Sequence, residues 1–175
     1  MKNNFLGFER NNGFGTRNHL LVLPTVVCSQ SIAYMITKEA LKYYNADDGK
    51  VKVLTNPYGC GQTGEDLQQT TRTLINAGLN PNVYGVVVVS LGCESVDYNY
   101  VTDKISEYKP TYLLRVQDHG MQKTVEKAVE TLKKLSEDAS KLKRKETDIS
   151  NLNLGLECGG SDYTSGLAAN PLVGR

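Results

Sequence analysis

The chain has 175 residues, 39% of them hydrophobic, enough to bury a real core and too short for two comfortable domains. Twenty Lys and Arg against nineteen Asp and Glu leave a formal charge of +1, which excludes the broad basic field of a nucleic-acid module. No apolar run approaches the roughly 20 residues of a membrane span, and Met1, Lys2, Asn3 and Asn4 lack a signal-peptide core, so the expectation is a soluble, cytoplasmic protein with no membrane partner.

In chain order, residues 1–18 read as an N-terminal arm ahead of a single α/β domain. His19 to Thr25 is the first predicted strand, followed by Ile32, Met35, Ile36, Ala40 and Leu41 at helical spacing. Val51 to Thr55 is the second strand. Leu67, Thr71, Leu74 and Ile75 mark the second helix, which Gly78 and the Asn80-Pro81-Asn82 turn bring to a stop. Tyr84 to Ser90 is the third strand, and its run Val86 to Val89 is apolar on both faces, as a central parallel strand requires. A helix is expected over Val96 to Tyr108, and the fourth strand over Thr111 to Val116. Val125, Ala128, Val129, Leu132, Leu135, Ala139 and Leu142 form the longest helical stripe. Lys141 to Lys145 reads as a solvated helix end, with a tail for acidic partners as the alternative. Leu152 to Leu156 is the fifth strand. Strands alternating with helices predict a doubly wound, Rossmann-like, mainly parallel sheet of about five strands with helices on both faces.

Four cysteines without an export signal argue against a disulfide framework. Cys28, Cys60 and Cys93 recur about once every 30 residues, the span of one βα unit. No two form a local C-x-x-C pair, which excludes a zinc ribbon or a thioredoxin-type motif. Ligands of an open parallel sheet bind at the carboxyl ends of its strands. Cys28 follows the first predicted strand, Cys60 the second, Cys93 and Glu94 the third, Asp118 and His119 the fourth, and Glu157 and Cys158 the fifth. Cysteines also pack well at strand ends as small hydrophobes, but all four at equivalent positions point to a common rim. A mixed Cys, Glu and His set suits iron(II) or zinc.

Three glycine-rich turns lie at the same ends. Gly59-Cys60-Gly61-Gln62-Thr63-Gly64 formally matches G-x-G-x-x-G between a strand and a helix, and its N–H groups offer a cradle for a phosphate or a substrate carboxylate. As a dinucleotide fingerprint it is poor, because it follows the second strand and lacks an acid about 20 residues on. Leu91-Gly92-Cys93-Glu94-Ser95 and Glu157-Cys158-Gly159-Gly160-Ser161-Asp162 are the other two. In the arm, Arg10 and Arg17 offer forked clamps for a carboxylate or, equally, surface ion pairs. His19 starts a strand at the opposite edge and reads as structural. No G-x-S-x-G or Walker-type sequence occurs, which removes serine hydrolases and P-loop NTPases.

Taken together, several segments resemble the altronate dehydratase family, which includes galactarate dehydratase. They are Gly7-Phe8-Glu9-Arg10 with Gly15-Thr16-Arg17-Asn18, Leu23-Pro24-Thr25-Val26-Val27-Cys28, Gly59 to Asp66, Leu91-Gly92-Cys93-Glu94, and Gly155 to Asp162 running on to Ala169-Asn170-Pro171-Leu172-Val173-Gly174. Lys123-Thr124-Val125-Glu126 also fits, whereas His119-Gly120-Met121 departs from the glycine pair of the family and weakens a catalytic role for His119.

The resemblance implies a metal-dependent hydro-lyase that converts a sugar acid to a 2-keto-3-deoxy acid, with iron(II) or manganese as the expected metal and zinc as the further candidate. It places Cys60, Cys93 and Cys158, with Cys28 as a fourth, nearest metal or substrate. Glu94 and Glu157 become candidate ligands or bases. Gly61, Gln62, Thr63 and Gly64, with Gly159, Gly160 and Ser161, become substrate-binding turns, and Arg17 a partner for the substrate carboxylate. The same family includes sulfolactate sulfo-lyase, which expels sulfite in place of water. Its catalytic region continues beyond Asn170-Pro171, so the expectation is a fragment or one part of a split enzyme. Its partners would be a C-terminal half and a small N-terminal domain or subunit, with a homo-oligomer left open. The competing readings are a non-catalytic docking domain, which predicts a large exposed apolar patch, and a nucleotide-binding domain resting on the Gly59 to Gly64 turn.

Overall fold

The computed structural model describes residues 3–157, 159–160 and 162–175. An N-terminal hairpin, β1 (Asn4–Arg10) and β2 (Gly13–Gly15), leads into β3 (His19–Pro24) and α1 (Gln30–Ala40). The chain continues through β4 (Val51–Val53), α2 (Gly64–Leu79), β5 (Val83–Ser90), α3 (Tyr98–Ser106) and β6 (Thr111–Arg115). Then follow α4 (Val116–Ser140), interrupted at Gly120, β7 (Lys145–Asp148) and a short α5 (Asn170–Val173).

Strands β4-β3-β5-β6 form one parallel sheet in that order, with Leu20 opposite Val51 and Gly85, and Val86 opposite Thr111. The chain steps outward from β3 to β4, then crosses back to place β5 on the other side of β3. The direction of winding therefore reverses between β3 and β5, which is where a doubly wound sheet forms its binding crevice.

The central position read from Val86 to Val89 is correct, and all four side chains are fully buried. Alternation divides them between two cores. Val87 and Val89, with Leu20 and Val22, meet Ile36 of α1 and Ala128 and Leu132 of α4. Val86 and Val88, with Leu21 and Leu23, meet Leu74 of α2 and Val101 and Ile105 of α3. Burying each such valine stabilises the fold by about 1.5–3 kcal/mol over its exposed state. Gly78 lets α2 and α3 approach closely, since a Cβ there would lie 2.4 Å from Ile105 Cδ1.

Three expectations change. Leu152 to Leu156 is not a strand; the segment has no regular structure, and Leu154 and Leu156 are 76% and 68% exposed. An alternating pattern is compatible with a strand but cannot supply the neighbouring edge that a ladder needs. The parallel sheet accordingly has four strands, not five. Residues 4–15 of the arm are a hairpin in a second, antiparallel sheet of order β2-β1-β7, with Asn4 opposite Asp148. The basic run is a solvated helix end at Lys141, the helix C-cap, but not beyond it. The helix stops at Ser140, Lys145 opens β7 and pairs with Glu9, and Arg144 stacks over Phe8 at 4.8 Å and donates to the Leu6 carbonyl.

Candidate functional site at the reversal of strand order

Three turns meet where the winding reverses. Thr25, directly after β3, donates its hydroxyl to Glu94 Oε1, while the Gly92 amide donates to Glu94 Oε2 at 2.7 Å. Gly92 holds φ at +116°, a conformation that side chains rarely adopt, and a Cβ there would lie 2.5 Å from Gln117 Oε1. The β4–α2 loop is tied to the same place. Asn56 Nδ2 donates to the Thr25 carbonyl at 2.8 Å, Val27 N donates to the Tyr58 carbonyl at 2.9 Å, and the Ser95 hydroxyl donates to the Cys60 carbonyl.

Glu94 is half-buried. Burial alone would raise its pKa, but the Thr25 and Gly92 hydrogen bonds outweigh it and hold the carboxyl below its ordinary range. The group is therefore an ionised acceptor at neutral pH. Both its oxygens accept hydrogen bonds that fix the two turns to each other. The buried Ser90 hydroxyl lies close enough to this carboxylate to favour its charged form as well, without a hydrogen bond of good geometry.

Cys28, Cys60 and Cys93 are free and exposed on the three neighbouring turns, as the spacing predicts. Cys158 and Ser161 lie outside the described residues. Glu157 is exposed at the end of the irregular stretch 152–157, and Gly159 and Gly160 are exposed as well. Gly61, Gln62 and Thr63 precede α2, and Gly64 opens it; Glu65 and Asp66 in its first turn already offset the positive end of the helix dipole. Arg17 is not brought to this rim. It precedes β3, at the amino edge of the sheet, where its amide donates to Asn82 Oδ1 and its guanidinium to the Thr16 carbonyl. His19 is structural, accepting from the Lys50 amide.

Arg115, missed in the sequence, closes β6 at the strand-end rim. Its Cδ would lie 3.2 Å from a Cβ on Gly92. Its guanidinium pairs with Asp118 and donates to Tyr98 Oη at 3.1 Å, contacts that keep it firmly protonated. An arginine closing a strand, three residues before an aspartate, was the available signal.

Thiolate and carboxylate donors suit iron(II) or zinc. Among the described residues, however, no three His, Cys, Asp or Glu side chains come together as a cluster able to hold a metal ion, and both Glu94 oxygens are already engaged. The described residues do not by themselves fit a metal centre.

The model of the D-galactarate dehydratase/altronate hydrolase second domain matches residues 7–140, and that of the D-galactarate/altronate dehydratase C-terminal domain matches residues 149–175. The chain belongs to the galactarate/altronate dehydratase family. An altronate dehydratase of Bacillus subtilis is 37% identical over 98% of the chain, and one of Escherichia coli is 36% identical over 96%. A (2R)-sulfolactate sulfo-lyase subunit beta of Chromohalobacter salexigens is 38% identical over 98%. The chain spans 35%, 34% and 42% of these relatives' lengths. Within this dehydratase family member, no helix among the described residues is long and apolar enough to cross a membrane.

Proposed function

We propose that the chain forms one wall of the active site of a sugar-acid dehydratase. The reaction removes the C2 proton and the C3 hydroxyl of a 2,3-dihydroxy acid, and the resulting enol rearranges to a 2-keto-3-deoxy acid. The observation that carries this reading is the braced meeting of three turns at the strand-order reversal, with exposed thiols on each and an ionised carboxylate between them, in a chain related throughout to altronate dehydratases.

In this reading Glu94 positions the turns. Both its oxygens are engaged by Thr25 and Gly92, which leaves Glu157 or a residue of the longer polypeptide to act as the base. A divalent metal, iron(II) ahead of manganese or zinc, would need donors from Cys158 or from that remainder in addition to the rim thiols. The remainder also covers the apolar tail, where Tyr163, Leu167 and Leu172 stand at least three-quarters exposed. Such a tail serves the docking role as part of the enzyme.

The test uses the full-length polypeptide that carries this segment, assayed for 2-keto-3-deoxy acid formation from altronate and galactarate, with metal content measured on the same preparation. Cys60→Ser and Cys93→Ser are expected to cut turnover at least about tenfold with an unchanged circular dichroism spectrum. Wild-type protein inert toward both acids, or variants of full activity, would refute the reading. The sulfo-lyase subunit covers the chain as fully as the dehydratases do, so sulfite release from sulfolactate is the second reading and is measured alongside.

A further inference from the structure

Beside the braced turns, the 54–63 loop and one face of α2 enclose a cleft of about 360 Å³. That is small for a dinucleotide and ample for a six-carbon acid. Its α2 wall carries Asp66, Thr70 and Leu74 at four-residue spacing, flanked by Gln69 and Thr73, so that all lie toward one side of the helix. Opposite stand Tyr58 and Gln62.

The chemistry of this lining is selective. Gln62 Oε1 is buried with no donor among the described residues, an unmet acceptor in the wall of the cleft. Thr73 already spends its proton on the Gln69 carbonyl at 2.8 Å and presents its oxygen as an acceptor. The half-exposed Tyr58 ring offers an apolar face to C–H groups. Among the described residues no Lys, Arg or His lines the cleft, and Asp66 is the one acidic group that does. A carboxylate finds only neutral amide donors here and meets Asp66, whereas hydroxyls can both donate to the acceptors and accept from the amides. Because the same loop also carries Cys60, a ligand seated in the cleft lies next to the strand-end rim.

We propose that this cleft holds the uncharged, hydroxylated tail of a sugar monoacid, so that the protein selects aldonates over aldarates and over short sulfonated acids. An aldonate such as altronate ends in CH₂OH and fills the cleft with hydroxyl donors. An aldarate such as galactarate would bring a second carboxylate against Asp66, and sulfolactate has no polyol tail to place there. The inference rests on the dehydratase reading for the word "substrate"; the binding chemistry of the cleft stands apart from it.

The test titrates the full-length polypeptide that carries this segment, labelled with ¹⁵N at glutamine, with galactitol, altronate and galactarate, following the side-chain amides of Gln62 and Gln69. Galactitol and altronate are expected to shift both amides saturably. Galactarate is expected to bind about threefold to tenfold more weakly, the effect of one partly screened like-charge contact. Asp66→Asn, at an exposed position, should narrow that gap, and Gln69→Leu should abolish the shift of the Gln62 amide. Amides unmoved by altronate and galactitol, or galactarate binding as tightly as altronate, would overturn the proposal. Amide shifts in a full-length protein that turns over no sugar acid would sink the dehydratase reading and leave the cleft standing. Turnover of altronate with both amides unmoved would do the reverse.

Discussion

Lys109 predicts an unusual pH dependence of stability. It follows α3, is 7% exposed, and its Nζ donates to the carbonyls of Asn80 and Val83, each at 2.9 Å. Burial, assisted by the nearby Arg10 guanidinium, lowers its pKa from 10.5 to about 7. Between those values the folded amine is neutral while the unfolded chain carries one proton more, so stability rises with pH. Below about pH 7 both states are protonated and the slope vanishes. One proton limits the slope to about 1.4 kcal/mol per pH unit. With the ammonium partly solvated by its two carbonyls, a total gain of about 2–4 kcal/mol across the interval is expected.

Lys109→Met removes this titration and deprives both carbonyls of their donor, a pH-independent loss of about 1–3 kcal/mol. Urea unfolding of both proteins from about pH 6 to about pH 9 separates the two effects. The wild type should gain stability over the variant as pH rises. Two parallel stability curves would refute the assignment of a neutral buried amine.

Two substitutions test the packing that positions the site. Gly92→Ala forces a side chain into a φ of +116° and against Gln117 and Arg115. It should cost about 1–3 kcal/mol by thermal denaturation and weaken the Glu94 brace; an unchanged melting temperature would contradict it. Gly78→Ala drives a methyl into Ile105 of α3, with a loss of about 1–3 kcal/mol, and Ile105→Val in the same chain should recover part of it. No recovery would mean that the strain lies elsewhere.

The parallel sheet was legible because its signals are local. Val86 to Val89 had to be central, since no other position buries both faces, and α2 had to end near Gly78 and the Asn80-Pro81-Asn82 turn, as it does at Leu79. The recurrence of cysteines at strand ends was likewise a matter of chain rhythm, and Cys28, Cys60 and Cys93 do stand exposed on neighbouring turns.

Pairing across long stretches of chain was not legible. The N-terminal arm became a hairpin because β1 finds β7 at the far end of the chain, and Leu152 to Leu156 stayed irregular because no strand edge is placed beside it. The duties of side chains were equally hidden. Arg17 and Arg115 look alike in sequence, but Arg17 falls at the amino edge of the sheet and Arg115 at the carboxyl edge. Glu94 read as a candidate base, and only the donors from Thr25 and Gly92 show it held as a carboxylate. Local patterns are written in neighbouring residues and determine which elements form. Charge, exposure and basicity depend on groups that meet only after the chain folds, so the tertiary structure alone decides them.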